Sequence, residues 1–471
     1  MAAEAHPVPA RLVARRRSTE LLLTVMAAAI TALAYVLASL GANARIPARI
    51  GPFLGLLLAL IGLAHLAVRK LARGADSTLL PVAVLLHGVG YVMITRLDDR
   101  LAGLQSLWSL VAITAFVATL LFVPRVGDLA RYKWTLFFAG AALLLLPMVP
   151  VLGVEVNGAR IWVRLGPLNF QPGEFAKLAL AVFFAAYLAE RRELISASTW
   201  KIGPLRLPEP QHIAPILVAW GFAVMVMVGE RDLGSSLLFF TLFVVMMWVA
   251  TERVSYLVIG FVLFGLAAFV SSRLFGHVQT RIDVWLDPWA DEYGKGFQIV
   301  QALYGLGDGG IAGTGLGRGS PDKVPEAQND FIFAAIGEEL GLAGATAVLI
   351  AYLLLIGAGL RIAIRTDRTF EKLLAVGLTT IVGIQAFIIV GGVVKVVPLT
   401  GITLPFVSYG GSSLLSNYVL LALLLRLSDS GARRLGELPD DPTARERWLA
   451  WRLRRSTPPA ADATDVHEVV A

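Results

Sequence analysis

The chain has 471 residues, 56% of them hydrophobic and only 16% charged, with a formal net charge of +7 and no cysteine. Soluble domains carry about a quarter charged residues, so this composition excludes an ordinary soluble enzyme, and without a thiol there is neither disulfide nor cysteine chemistry. Whether the surplus of Lys and Arg signals nucleic-acid binding depends on where it falls along the chain.

Residues 1–19 are basic, with Arg15, Arg16 and Arg17 ahead of an apolar run from Leu21 to Leu40. That run is too long for the core of a cleaved signal peptide and no cleavage site follows it, so it reads as a signal anchor. A bilayer core of about 30 Å needs about 20 apolar residues per helix. Such runs recur near 20–41, 52–69, 79–96, 107–123, 134–151, 174–190, 213–229, 233–250, 255–271, 330–360, 371–393 and 409–427. They are continuous, whereas a transmembrane β-barrel would show short alternating segments. The prediction is an all-α polytopic integral membrane protein of about 12 spans. The runs near 213–229 and 233–250, separated by Glu230-Arg231-Asp232, also fit one broken unit.

With the N-terminus placed in the cytoplasm, the inner segments hold 27 Lys and Arg and the outer segments 13. Positive residues favour the cytoplasmic side, so both termini are expected inside. The basic charge is then a matter of orientation and of contact with anionic membrane lipids, not of nucleic acid. The tail from 429 to 471 is polar; residues 445–456 suit a helix on the inner leaflet, and the end suits disorder.

Three outer segments remain: 152–173, 272–329 and 394–408. The second, 58 residues long, is far above ordinary loop length and reads as functional. Within it Phe297, Val300, Leu303 and Tyr304 share a helical face, which predicts an amphipathic helix at the membrane surface with glycines on either side. The stretch WLDPWADEYGKGFQ at 285–298 holds three carboxylates, Asp287, Asp291 and Glu292, among aromatic residues.

Ionisable groups at membrane depth are costly and are candidates for function. Glu174 and Lys177 stand three apart and can pair on one helix face; packing and function weigh equally for them and for Arg231 with Asp232. Glu338 and Glu339 interrupt an apolar run. Lys395 has no carboxylate nearby in sequence. GTGLGRG at 313–319 follows no strand and opens no βαβ unit, so it is no dinucleotide fingerprint. There is no phosphate-binding GxxxxGK[ST] and no GxSxG, and the six histidines lack metal-ligand spacing.

Six segments in order carry a resemblance. They are QSLW at 105–108, NGARIWVRLGPLNFQPGEFAKLAL at 157–180, DLGSSLLF at 232–239, DPWADEYGKGFQIVQALYGLGDGGIAGTGLGRG at 287–319, VPEAQNDFIFAAIGEELG at 324–341 and PLTGITLPFVSYGGSSL at 398–414. Together they resemble the SEDS family (shape, elongation, division and sporulation; RodA/FtsW-like). The family core has ten spans. The resemblance covers 79–428, so residues 20–78 read as two additional N-terminal spans and 272–329 as the extracellular catalytic loop.

Such a membership implies a peptidoglycan glycosyltransferase that polymerises lipid-linked disaccharide-pentapeptide (lipid II) and works with a class B penicillin-binding protein in the bacterial cytoplasmic membrane. It implies a catalytic acid at Asp291, where the family motif resembles Asp-Pro-x-Gly-x-Gly-Tyr-Gln. Here Glu292 replaces the proline and Phe297 the tyrosine. QPGE stands where QPSE is usual, and Glu230-Arg231 replaces a commoner Gln-Pro. Substrate-binding roles are implied for Arg160, Arg164, Glu174, Lys177, Glu326, Lys395 and Ser412.

The chemistry is consistent from below. Glycosyl transfer needs a base for the acceptor hydroxyl and positive charge for the leaving pyrophosphate, from Arg, Lys or a divalent cation such as Mg or Mn. A free Asp titrates near 3.9, and shielding by Trp285, Trp289, Tyr293 and lipid is expected to raise it. Two other readings stand against this one. A lipid II flippase would use intramembrane charge equally well but has no need of a base on the outer loop. A non-enzymatic scaffold leaves the buried charges without a role. On its own, Asp291 also suits a glycine-rich surface turn.

Overall fold

The computed structural model describes residues 10–44, 50–150, 152–156, 159–165, 168–196, 200–202, 205–207, 210–230 and 232–435. Arg231 and the proposed tail helix lie outside them.

Among the described residues the chain forms fourteen α-helices and five short strands. Helices α1 (Ala10–Asn43), α2 (Ile50–Leu71), α3 (Leu79–Leu97), α4 (Asp99–Phe122) and α5 (Lys133–Leu145) fall on the first five predicted spans. The segment 152–173 then folds as a three-stranded antiparallel sheet of β1 (Gly153–Val156), β2 (Ala159–Leu165) and β3 (Leu168–Phe170), in the order β1-β2-β3. The sheet is short and joins two helices, so the helical framework of spans stands as expected. In β2 the residues Ile161, Val163 and Leu165 alternate with Arg160, Trp162 and Arg164, the period of two that a strand requires.

Helix α6 (Gly173–Ser196), a small hairpin of β4 (Trp200–Ile202) and β5 (Leu205–Leu207), α7 (Pro210–Gly229), α8 (Leu233–Thr251) and α9 (Ser255–Leu274) follow. The seventh and eighth runs are two helices, not one broken unit, and Asp232 caps α8 by accepting from the Ser235 N–H at 2.9 Å. The long loop holds α10 (Gly276–Leu286), a 3₁₀ turn at Pro288–Asp291 and α11 (Phe297–Gly309). Helices α12 (Ile332–Ile364), α13 (Thr369–Val393) and α14 (Gly411–Arg434) complete the chain.

Ten of these helices are long and apolar enough to cross a membrane. α6 and α7 stand on the other two predicted runs. α6 carries Glu174, Lys177, Glu190, Arg191, Arg192 and Glu193, and α7 has a short apolar stretch at Leu217–Val226. The chain is a polytopic membrane protein whose spans are all helical, with its few short strands in the segments between helices.

Two arrangements position the outer loop. First, α12 is broken at Gly341, whose φ of +67° lies in the left-handed region that favours glycine. The carbonyls of Glu338 and Glu339 accept from Thr314 N (2.9 Å) and Gly315 N (3.0 Å). Their carboxylates accept from Ser320 N (2.5 Å) and Gly317 N (2.9 Å), and Glu339 pairs with Arg96 at 3.1 Å. The GTGLGRG stretch is therefore a nest of N–H groups around two glutamates. Irregular backbone at such depth survives only when its polar groups are satisfied internally.

Second, α11 packs on α12 with Gly305 against Glu338 and Gly309 against Gly337, and it buries Ile299, Val300 and Ala302. A Cβ on Gly309 would overlap the Gly337 carbonyl, so the small residues face the partner helix. Tyr304 is left 52% exposed. The N-terminal helix joins this assembly: Gly41 of α1 meets Leu316 backbone to backbone, and Gly317 meets Ala38 in the same way.

Candidate active site

The Asp291 turn is built by local geometry. Asp287 ends α10 and accepts from the Trp289 N–H at 3.2 Å, starting the 3₁₀ turn. The Asp291 carbonyl then accepts from Gly294 N and Gly296 N, and its carboxylate accepts from Lys295 N at 3.0 Å. That carboxylate lies over Gly294, and Pro288 lies over Gly296. A Cβ at Gly296 would collide with the Pro288 carbonyl, so the backbone requires a glycine there, whereas a Cβ at Gly294 would meet only the movable Asp291 carboxylate.

Asp291 is exposed on this turn. The expected aromatic shield is not formed: Tyr293 is 87% and Trp289 48% exposed. Trp285 turns away, donating its Nε1–H to the Lys395 carbonyl at 3.0 Å. Lys395 Nζ sits 5.0 Å from the centre of the Trp289 ring, so a cation stands beside the turn that carries the acid.

A second set of predicted residues meets in a buried seam. Lys177 Nζ lies 2.6 Å from the Glu174 carboxylate, with both side chains buried in α6. Lys177 also donates to Gln385 at 3.1 Å, and Ser416 donates to Glu174 at 2.7 Å. Ser412 accepts from the Gln171 N–H at 2.9 Å. Glu174, Lys177 and Ser412 thus come together, while Asp291 and Lys395 form a separate group. Arg160 and Arg164 share one face of β2; the Arg160 backbone N–H reaches the Glu230 carbonyl at 3.3 Å. Glu326 stands apart on the surface, at φ +58°, and accepts from Asn329 at 2.6 Å.

The residues that sequence reading did not single out are Arg281 and Asp330. Arg281 Nη1 donates to the Leu399 carbonyl at 2.8 Å, and Arg281 and Asp330 both flank Gly401. An acid immediately before the apolar run of α12 was the available signal for Asp330. Burial pushes its carboxyl up to about 7; Arg281 pulls the other way, and Glu326 and Asp232 add to the rise. Burial, helped by Asp232, likewise pushes Glu230 up to about 8. Asp232 is itself raised by burial, with Glu174 adding to the effect. The seam therefore holds more carboxyl groups than cations.

This sets a sign for pH dependence. A carboxyl whose folded value exceeds its unfolded one stabilises most at acid pH, and that contribution is lost as pH rises through the folded value. Thermal unfolding between pH 5 and 8 should show falling stability in the native chain and a shallower slope in Asp330→Asn. An unchanged slope in that variant would remove Asp330 as the source.

Among the described residues no three His, Asp or Glu gather where they could hold a metal ion. A cavity of about 480 Å³ opens between the ends of α7 and α9, lined by Met225, Val228, Leu274, Phe275 and His277.

Residues 77–432 match the FtsW/RodA/SpoVE family, described as cell cycle proteins. The chain is 45% identical over 466 residues to the peptidoglycan glycosyltransferase RodA of Mycobacterium tuberculosis, covering 97% of this chain and 96% of that one. It is 38% identical over 291 residues to the stage V sporulation protein E of Bacillus subtilis, covering 61% and 76% respectively. Among solved structures, a chain of a peptidoglycan synthase complex that coordinates polymerization and crosslinking superposes with a TM-score of 0.64 at 27% identity, covering 76% of this chain and 98% of that one. An aspartate-to-alanine mutant of the Thermus thermophilus rod shape determining protein RodA gives 0.55 at 26% identity, covering 75% and 97%. With the family match spanning most of its length and a near-full-length relative at this identity, the chain belongs to the FtsW/RodA/SpoVE family of cell cycle proteins.

Proposed function

We propose that the chain is a peptidoglycan glycosyltransferase that polymerises lipid II, with Asp291 as general base. The near-full-length similarity to mycobacterial RodA supports the reaction class. The observation that carries the residue assignment is the open turn that exposes Asp291 two residues from Trp289, whose ring Lys395 covers. A base must reach the proton it takes, so geometry is the first requirement.

In this reading Asp291 takes the proton of the 4-hydroxyl on the acceptor N-acetylglucosamine. The oxygen attacks the donor's anomeric carbon, the bond to the polyprenyl pyrophosphate breaks, and the centre inverts. Lys395, with Arg160 and Arg164 on β2, balances the charge that develops on the pyrophosphate. The sugars, once bound, supply the desolvation of Asp291 that its own aromatic neighbours do not. The groove by Met225 and Phe275 suits the polyprenyl tail. Glu174, Lys177 and Ser412 serve the substrate from the separate buried seam, and Glu326 from the surface. Purified chain given lipid II should release polyprenyl pyrophosphate in step with strand growth; growth without release, or neither, would contradict the reaction.

Lys395→Met should raise KM or lower kcat for lipid II by about tenfold, the scale of one charge-assisted contact, with normal expression. Unchanged kinetics would return Lys395 to a packing role over Trp289.

The charge asymmetry supports both termini inside and residues 272–329 outside, with 20–78 as two additional spans. The native chain has no cysteine, so Gly319→Cys and Ser456→Cys can each be read cleanly. An impermeant thiol reagent should label the first in intact cells and not the second; the reverse pattern would invert the topology. A class B penicillin-binding protein is the proposed partner, and its binding should raise the polymerisation rate by favouring the active state of the loop.

A further inference from the structure

Helix α10 leads directly into the Asp291 turn, yet Val278 is its only fully buried side chain, with Val284 packing part-buried against the core. That is little apolar burial for eleven residues, so polar contacts must help to hold the helix in place. The structure offers two polar anchors. Arg281 and Trp285 are four apart and share one face of α10. Arg281 Nη1 donates to the Leu399 carbonyl at 2.8 Å, and Trp285 Nε1 donates to the Lys395 carbonyl at 3.0 Å. The acceptors are four residues apart as well, so the helix lies along the 395–399 segment in register.

That segment is a firm base. Lys395 N donates to the Gly392 carbonyl at 3.2 Å, and Val396 N and Val397 N both donate to the Gly391 carbonyl, at 2.7 and 3.2 Å. These bonds tie the segment to the end of α13. Lys395 is held at φ +61°, a left-handed conformation that a side-chain-bearing residue keeps only when its surroundings fix it. Its ammonium covers Trp289, which extends the same line of contacts into the 3₁₀ turn.

We infer that Arg281 and Trp285 are positioning residues, whose hydrogen bonds to the Leu399 and Lys395 carbonyls set the height and direction from which α10 presents Asp291. This rests on the reading of Asp291 as the base. It adds two residues of α10, anchored on the loop before α14, that govern the base without touching substrate. Displacement of a catalytic group by about 1 Å can cost about 10²-fold in rate.

The test uses the full-length protein and lipid II. Trp285→Phe keeps an aromatic ring, though a smaller one, and removes the Nε1–H donor. It should lower kcat at least tenfold, with KM for lipid II and the unfolding midpoint within experimental scatter of the native values. Arg281→Lys keeps the charge between Asp330 and Asp232 and should fall between the two. On an Asp291→Asn background, Trp285→Phe should have no further effect, because a misplaced base and a missing base are the same loss. Native kcat in Trp285→Phe overturns the inference, as does a fall that merely tracks a lower folded fraction, or a full additional loss in the double variant. If Asp291→Asn alone retains activity, it is the base assignment that fails, whatever Trp285→Phe does.

Discussion

Asp291→Asn is expected to lower strand formation by about 10²–10⁴-fold, the usual cost of losing a general base, in a protein that still folds and inserts. The substitution is close to neutral for the fold. The carboxylate is exposed, and its one bond within the turn is from Lys295 N; the Asn side-chain oxygen accepts that bond equally well. The neighbouring acids provide the internal comparison. Asp287 is occupied in capping the 3₁₀ turn, so Asp287→Asn should be mild. Glu292→Gln should also be mild. If Glu292→Gln abolishes strand formation while Asp291→Asn does not, the base is the next residue along.

Lys177→Met is expected to be the most damaging single change to the fold. Lys177 is 2% exposed, and it is the partner of a buried carboxylate. Removing one member of a buried ion pair leaves an uncompensated charge and typically costs 3–5 kcal/mol, whereas removing both costs far less. Glu174 keeps its bond from Ser416, which softens the loss without cancelling it. Unfolding of the purified protein should therefore show a large drop for Lys177→Met and partial recovery in Lys177→Met with Glu174→Gln. Equal and additive losses from the two changes would mean that the pair is not coupled, and that Lys177 serves substrate alone.

The helices were legible in the sequence because each is a continuous apolar run, and bilayer thickness dictates their length. The β1–β3 sheet was missed, although the alternation around Arg160, Trp162 and Arg164 spells it out, because the hydropathy of the whole chain favoured helices. On α11 the shared face of Phe297, Val300, Leu303 and Tyr304 was legible from its spacing, whereas the close approach of Gly305 and Gly309 to α12 was not, because a glycine carries no periodic signal. Asp291 was legible through its motif. Its exposure was not, since that depends on Trp285 turning towards Lys395, a residue 110 positions away. The meeting of Arg281 and Asp330 beside Gly401 has the same character: two polar residues, unremarkable in sequence, become neighbours only when α10 meets the loop before α14.

The most direct test of polymerase against transporter uses proteoliposomes that hold the purified chain and lipid II. Strand formation and movement of lipid II between leaflets would be measured in one sample. The expected result is glycan strands longer than a single transfer, formed at a rate that does not depend on any movement between leaflets and lost in Asp291→Asn. Movement of lipid II between leaflets with no strand formed, and equally fast in Asp291→Asn, would contradict the assignment and make the chain a flippase.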